Sequence, residues 1–362
     1  MSSMTVYSLA IHADYRCHQT GVCCRADWHV PVEASPLELM RSAVESGQLP
    51  APALAFVEGS GGVSLLAHDD EGACVFQDAS TNLCTVHSRL GEGALPVGCR
   101  VFPRVALRDV RGVRITLSNF CPTAAAMLWR SDKALAIERN PIAFPAQDYD
   151  GLDARGDWPP LVCPGILADY EGFDAWEAHA VSRLAEAPTP TAALSALRFD
   201  AETIAQWRPG GATLTDAIGD LPWCERLPRG SAVERYEEVR DAIPSDLRPR
   251  SATSSVQTLD EAPFSEPTRR FVAAHAFASW CAYQGYGVRT FVRSLEAALA
   301  VVRVEADRQS EDAGRALDRM LLTEAFRMAD LRLRHQASPE ALARVWSRAE
   351  SEPSGSKAPL SS

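Results

Sequence analysis

Arg104-Val105-Ala106-Leu107-Arg108-Asp109-Val110-Arg111-Gly112-Val113-Arg114-Ile115-Thr116-Leu117 reads as two short strands around a tight turn. Val105 and Leu107 alternate with Arg104, Ala106 and Arg108, and Val113, Ile115 and Leu117 alternate with Arg114 and Thr116. That period of two puts successive side chains on opposite faces of a strand. Asp109-Val110-Arg111-Gly112 supplies the turn. Cys99 and Cys121 flank the hairpin, and an antiparallel ribbon returns its two ends to one place, so these two thiols are expected to become neighbours.

Five more cysteines precede the hairpin: Cys17, Cys23, Cys24, Cys74 and Cys84. Adjacent thiols at Cys23 and Cys24 make poor core filler, whereas thiolates suit a soft metal or an iron–sulfur cluster. The spacings C-x5-C-C and C-x9-C are looser than the C-x2-4-C knuckles of zinc fingers. Five of the eight histidines (His12, His18, His29, His68 and His87) share the region, and Cys84-x2-His87 is a candidate mixed ligand pair. The seven cysteines are therefore the metal-ligand candidates. A cubane cluster takes four of them, which leaves the others for a second metal, a reactive thiol or packing. Buried structural thiols are the competing reading.

Composition narrows the setting. At 362 residues with net charge −11, the chain has room for two domains and lacks the positive charge of a general nucleic-acid binder. No run approaches the ~20 apolar residues of a membrane span. Residues 1–20 lack the pattern of a signal peptide, so a cytoplasmic protein with reduced thiols is expected. A disulfide framework is the alternative.

The fold class expected is α+β: a small cysteine-rich metal or cluster domain with short strands and a hairpin (1–139), then a Pro/Gly/Asp-rich linker (140–165). A mainly helical region (166–350) and a disordered tail (351–362) follow. Within it, Ser35-Pro36-Leu37-Glu38 reads as a helix start with a serine cap, and Thr123 to Ile137 as a helix. Thr189-Pro190, Ser231 and Ser338-Pro339 open later helices, while Gly285 and Gly287 split the run from Pro267 to Asp307. Glu58-Gly59-Ser60-Gly61-Gly62 precedes a strand rather than a helix and reads as a turn, as does Asp69-Asp70-Glu71. Cys163 reads as a loop thiol, and Cys224 and Cys281 as core.

Tyr15-x-Cys17-x5-Cys23-Cys24, Cys74-Val75-Phe76, Leu83-Cys84-Thr85-Val86, Cys99-x2-Phe102-Pro103-Arg104 and Ser118-x2-Cys121-Pro122 follow one another in this order. Over roughly residues 10–130 the chain resembles the YkgJ-type cysteine-cluster family of zinc- or iron-chelating proteins. Within that group it is similar to flagellin lysine-N-methylases, which carry C-x2-[YF]-P-R followed by S-x2-C-P. The resemblance implies a [4Fe–4S] protein that moves a methyl group from S-adenosylmethionine to a lysine of a protein or peptide, such as flagellin. Arg100 and Arg104 are then candidates to hold the donor's carboxylate, and Arg104, next to Pro103 and near Cys99, is the stronger. Arg108, Arg111 and Arg114 are expected on a solvated edge of the hairpin. A zinc- or iron-chelating module without catalysis, whose helical part binds a partner, is the alternative. A redox-sensing cluster is a third reading.

Overall fold

The computed structural model describes residues 4–25, 28, 30–50, 55–147, 149–222 and 258–348. The expectations for His29, Cys224, the Ser231 cap and the 351–362 tail lie outside them. The strands are β1 (Val6–Leu9), β2 (Phe56–Glu58), β3 (Ser64–Leu66), β4 (Arg104–Asp109), β5 (Gly112–Leu117), β6 (Ile137–Arg139), β7 (Leu152–Asp153), β8 (Leu161–Cys163) and β9 (Ile166–Leu167). The helices are α1 (Ala34–Glu45), α2 (Thr85–Leu90), α3 (Val97–Val101), α4 (Pro122–Met127), α5 (Tyr170–Glu186), α6 (Pro190–Ile204) and α7 (Leu214–Gly219). They continue with α8 (Ser265–Ala276), α9 (Val288–Ala313), α10 (Arg319–Asp330) and α11 (Pro339–Arg348), with a π-helical segment, Leu331–Gln336, directly after α10. The chain is thus mixed α and β, a small sheet followed by a helical region. Among the described residues no helix is long and apolar enough to cross a membrane.

The hairpin forms as read, with Arg104 opposite Leu117 and Asp109 opposite Gly112. It sits inside a five-stranded sheet ordered β6-β1-β5-β4-β7, in which β1 runs parallel to β5 and β7 parallel to β4. Strand β5 is central, and all its residues are buried. Gly112, at φ +125°, permits the approach of the segment entering β1: a Cβ there would lie 2.5 Å from the Thr5 carbonyl oxygen.

One buried cluster runs from Leu9 and Leu107 of the sheet, with Ile11 just after β1, into Trp176, Leu197, Phe271 and Phe326 of the helices. A separate core of Val30, Met40, Phe76, Val86 and Leu95 supports the cysteine-bearing loops. The stretch 140–165, expected as a linker, is folded: it supplies β7 and β8, and Phe144, Tyr149, Ala154 and Val162 are buried.

Several helix signals hold. Thr189 Oγ1 accepts from Ala192 N at 3.0 Å with Pro190 in the first turn, and Ser338 Oγ accepts from Ala341 N. Thr189→Ala is expected to lower stability by about 1 kcal/mol in urea unfolding; an unchanged midpoint would contradict the cap. The break between α8 and α9 contains Gly285 and Gly287, both at positive φ.

Three local expectations are corrected. Helix α1 begins at Ala34 after Glu33, with no side-chain cap, so Ser35 lies inside it. The helix expected to reach Ile137 stops at Met127, and Ile137–Arg139 pairs with β1 as a strand. The cause is tertiary: the buried Arg270 guanidinium donates to the carbonyls of Leu128, Arg130 and Lys133, groups that a continuing helix would bond internally. Finally, Arg108, Arg111 and Arg114 are not on a solvated edge. Arg114 is 3% exposed, and its Nε donates to Glu177 Oε2 at 2.6 Å. Arg111 bonds Asp109 at 2.6 Å, and Arg108 pairs with Asp153. Helix α5 closes the face that carries Arg114, and its Glu177 pairs with both Arg114 and Arg111, while Arg108 on the opposite face is matched by Asp153 of β7.

Candidate functional site

All seven cysteines named from the sequence line one cavity of about 460 Å³. Cys23 and Cys24 lie on a single 3₁₀ turn entered through Gly21, where a Cβ would meet the Asn82 carbonyl oxygen at 2.1 Å. Cys74 N donates to Cys24 O at 2.7 Å, which ties the second loop to this turn. Cys84 stands at the start of α2, Cys99 in α3 and Cys121 at the start of α4, followed by Pro122. At Cys84 and Cys121 backbone N–H groups of the following turn act on the sulfur, the arrangement that favours thiolate at a helix N-terminus. The described cysteines are all free thiols. No three Cys, His, Asp or Glu side chains among the described residues stand close enough together to hold one metal ion as they are.

Electrostatic contact sorts the seven into two sets. Cys23 lies within interaction range of Cys24, Cys74, Cys84 and Cys99, and Cys74 of Cys84 and Cys99. Cys17 and Cys121 instead gather around Tyr15, whose hydroxyl is 3.6 Å from Cys121 Sγ. Burial raises the thiol pKa of Cys74 to about 11 and pushes Cys84 and Cys99 upward as well. Cys23 is lowered, to about 7, because Cys24 hydrogen-bonds to it. Ionising several of these neighbours together is unfavourable without added positive charge, and a bound metal supplies it. The donor types are those that a soft metal or cluster takes, though among the described residues the side chains are not gathered to metal-binding distance.

His18, His68 and His87 line the same cavity. His12 does not: it is fully buried in the core, and neither ring nitrogen has a hydrogen-bond partner. Arg100 and Arg104 both border the cavity. Arg100 pairs with Asp150 at 2.8 Å, whereas Arg104 donates to the Arg100 carbonyl and lies over the Tyr149 ring. Glu58 to Gly62 forms the turn of the β2–β3 hairpin, and Asp69 caps its own turn by accepting from Glu71 N and Ala73 N. Cys163, expected in a loop, is buried on β8 away from the cysteine cavity, and Cys281 borders a second cavity.

That second cavity, about 420 Å³, shares the wall Trp28, Phe102 and Arg104 with the first. His335 stands edge-on to Trp28 at 4.9 Å and packs against Phe102. Its Nε2 is 2.8 Å from the hydroxyl of Ser118, which gives the serine of Ser118-x2-Cys121-Pro122 a role in joining the hairpin to the π segment. His275, Asp330 and His335 carried no sequence signal. Arg334-His335 sits in a run that reads as ordinary helix, and in the structure it lies in the π-helical segment Leu331–Gln336. Neither a family model, nor a curated protein, nor a solved structure matches the chain.

Proposed function

We propose that the chain is an iron–sulfur enzyme resembling the flagellin lysine-N-methylases, transferring a methyl group from S-adenosylmethionine to a lysine of a protein or peptide. The convergence of the thiols on one cavity carries the reading, together with the motif order. Cys23, Cys74, Cys84 and Cys99 are the natural holders of a [4Fe–4S] cluster, with Cys24 beside them. Such a cluster, when bound, supplies an electron-transfer centre and a cross-link between the loops that hold it. Arg104 has no carboxylate partner among the described residues, which leaves its planar fork available to the donor's carboxylate. Trp28 and Phe102, at 5.7 Å between centroids, form an apolar wall that the two cavities share.

Anaerobic purification with metal and sulfide analysis tests this. The expected product is brown, with roughly four iron and four sulfide per chain. Cys74→Ser and Cys99→Ser are expected to lose the colour, and Cys17→Ser to keep it. Stoichiometric zinc without colour would favour the non-catalytic chelating module instead. Full iron content in both the Cys74 and Cys99 variants would overturn the ligand set.

A further inference from the structure

The second cavity has polar chemistry of its own. His275 Nε2 lies 2.5 Å from Asp330 Oδ1. Asp330 is fully buried and also accepts from Asn119 N and pairs with Arg334. An ionised carboxylate only accepts hydrogen bonds, so the Nε2 of His275 carries the proton and Nδ1 of the neutral ring carries a lone pair. No protein group among the described residues bonds Nδ1, and the His275 side chain is 12% exposed, whereas His12 is fully buried. The ring lines the cavity. Burial and Arg334 push the pKa of His275 down, which keeps the ring neutral.

The rest of the lining discriminates between ligands. Trp28, Phe102, Trp280 and Leu342 provide apolar walls. Asp150 is the lining carboxylate, and it is already paired with Arg100. Arg334 is committed to Asp330 and to the Ala274 carbonyl, which receives its Nη2 proton. A permanent cation would meet Arg104 and Arg334 without a free counter-ion. A neutral amine would meet an acceptor at one end and apolar walls along its stem, and the nearby guanidinium charge favours that neutral form.

We propose that this cavity binds a primary amine on an aliphatic stem in its neutral form, with His275 Nδ1 as the acceptor of its proton and Asp330 as the residue that positions His275. The methyl step, though not the binding, rests on the function proposed above. In that step the amine lone pair forms the N–CH3 bond, the S–CH3 bond breaks with its electrons returning to sulfur, and the proton of the new ammonium passes to Nδ1.

The test is equilibrium binding to the full chain, with no methyl donor added, read by the fluorescence of the cavity tryptophans or by calorimetry. The probes are N-acetyl-lysine N-methylamide, its trimethylammonium counterpart and the norleucine counterpart, all at mildly alkaline pH. Referred to its neutral fraction, since the free amine has a pKa of ~10.4, the lysine probe is expected to bind about tenfold tighter than either of the others, the worth of one well-made hydrogen bond. His275→Phe is expected to erase that preference, so that the lysine and norleucine probes bind alike. Equal or tighter binding of the trimethylammonium probe, equal binding of norleucine, or no binding by any probe on the unaltered protein overturns the proposal. A colourless protein without methyl transfer that keeps this binding order would sink only the enzymatic reading. Methyl transfer without this binding order would sink only the present one.

Discussion

Lowering the pH from 7.5 to 4.5 is expected to remove about 5 kcal/mol of folding stability, on the order of 2–3 kcal/mol from each of two histidines. His12 is held down to about 3 by burial and Arg334, and His335 to about 4 by burial. Both rings are neutral in the native state, while the unfolded chain protonates them near 6.5. Their folded pKa values are depressed, so the contribution is intact above pH 6.5 and drains away as the pH falls toward 4 and then 3. Asp330 does not blur this window. Burial works against its carboxylate, but His275 and Arg334 outweigh it and hold the pKa at about 2, so its loss comes later. Urea unfolding at the two pH values measures the effect. His12→Leu is expected to take about 2–3 kcal/mol off the acid sensitivity and to leave neutral-pH stability unchanged or higher, because the ring nitrogens it removes bond nothing among the described residues. Equal stability at both pH values would show that the histidines are not held neutral.

Glu177→Leu is expected to destabilise the fold by about 3–5 kcal/mol, the range for removing one member of a buried ion pair. Glu177 on α5 is 3% exposed; it accepts from Arg114 Nε at 2.6 Å and from Ala278 N at 3.0 Å. Removing it leaves Arg114 buried against Tyr7 with the partly exposed Asp174 and the already shared Asp109. Asp109 also accepts from Arg111 and from the Tyr283 hydroxyl at 2.6 Å, so the damage reaches the turn of the hairpin. Replacing the pair together, as Arg114→Met with Glu177→Leu, is expected to recover most of the loss. Thermal and urea unfolding of the single and double variants check both. A single-variant loss under about 1 kcal/mol would mean that water reaches the network.

The candidate site was legible to the extent that its chemistry is written in rare residue types. Cys23-Cys24, Cys74, Cys84, Cys99 and Cys121 announce themselves by identity and order, and the cavity they line contains the whole predicted set. Their division into a group around Cys23 and a pair around Tyr15 was not legible, because it depends on which loops dock together. The second cavity was silent for a related reason. His275 and His335 each look like one more polar residue on a helix, and their chemistry comes from Asp330 and Ser118, 55 and 217 positions away.

By itself the sequence determined the elements whose signals are local. The alternation around Asp109 to Gly112 makes the hairpin, Thr189-Pro190 and Ser338-Pro339 start helices, and Gly285 and Gly287 lie in the break between Ser265–Ala276 and Val288–Ala313. These follow from backbone geometry and caps within a few residues, which any context preserves. Tertiary structure alone decided where charge is buried and where helices stop. Arg270 captures the carbonyls that would have extended α4, and α5 supplies Glu177 to Arg111 and Arg114, which local patterning assigns to water. In both cases a guanidinium finds partners remote in the chain. A period or a propensity carries no information about such partners, because their energy exists only once the layers have packed.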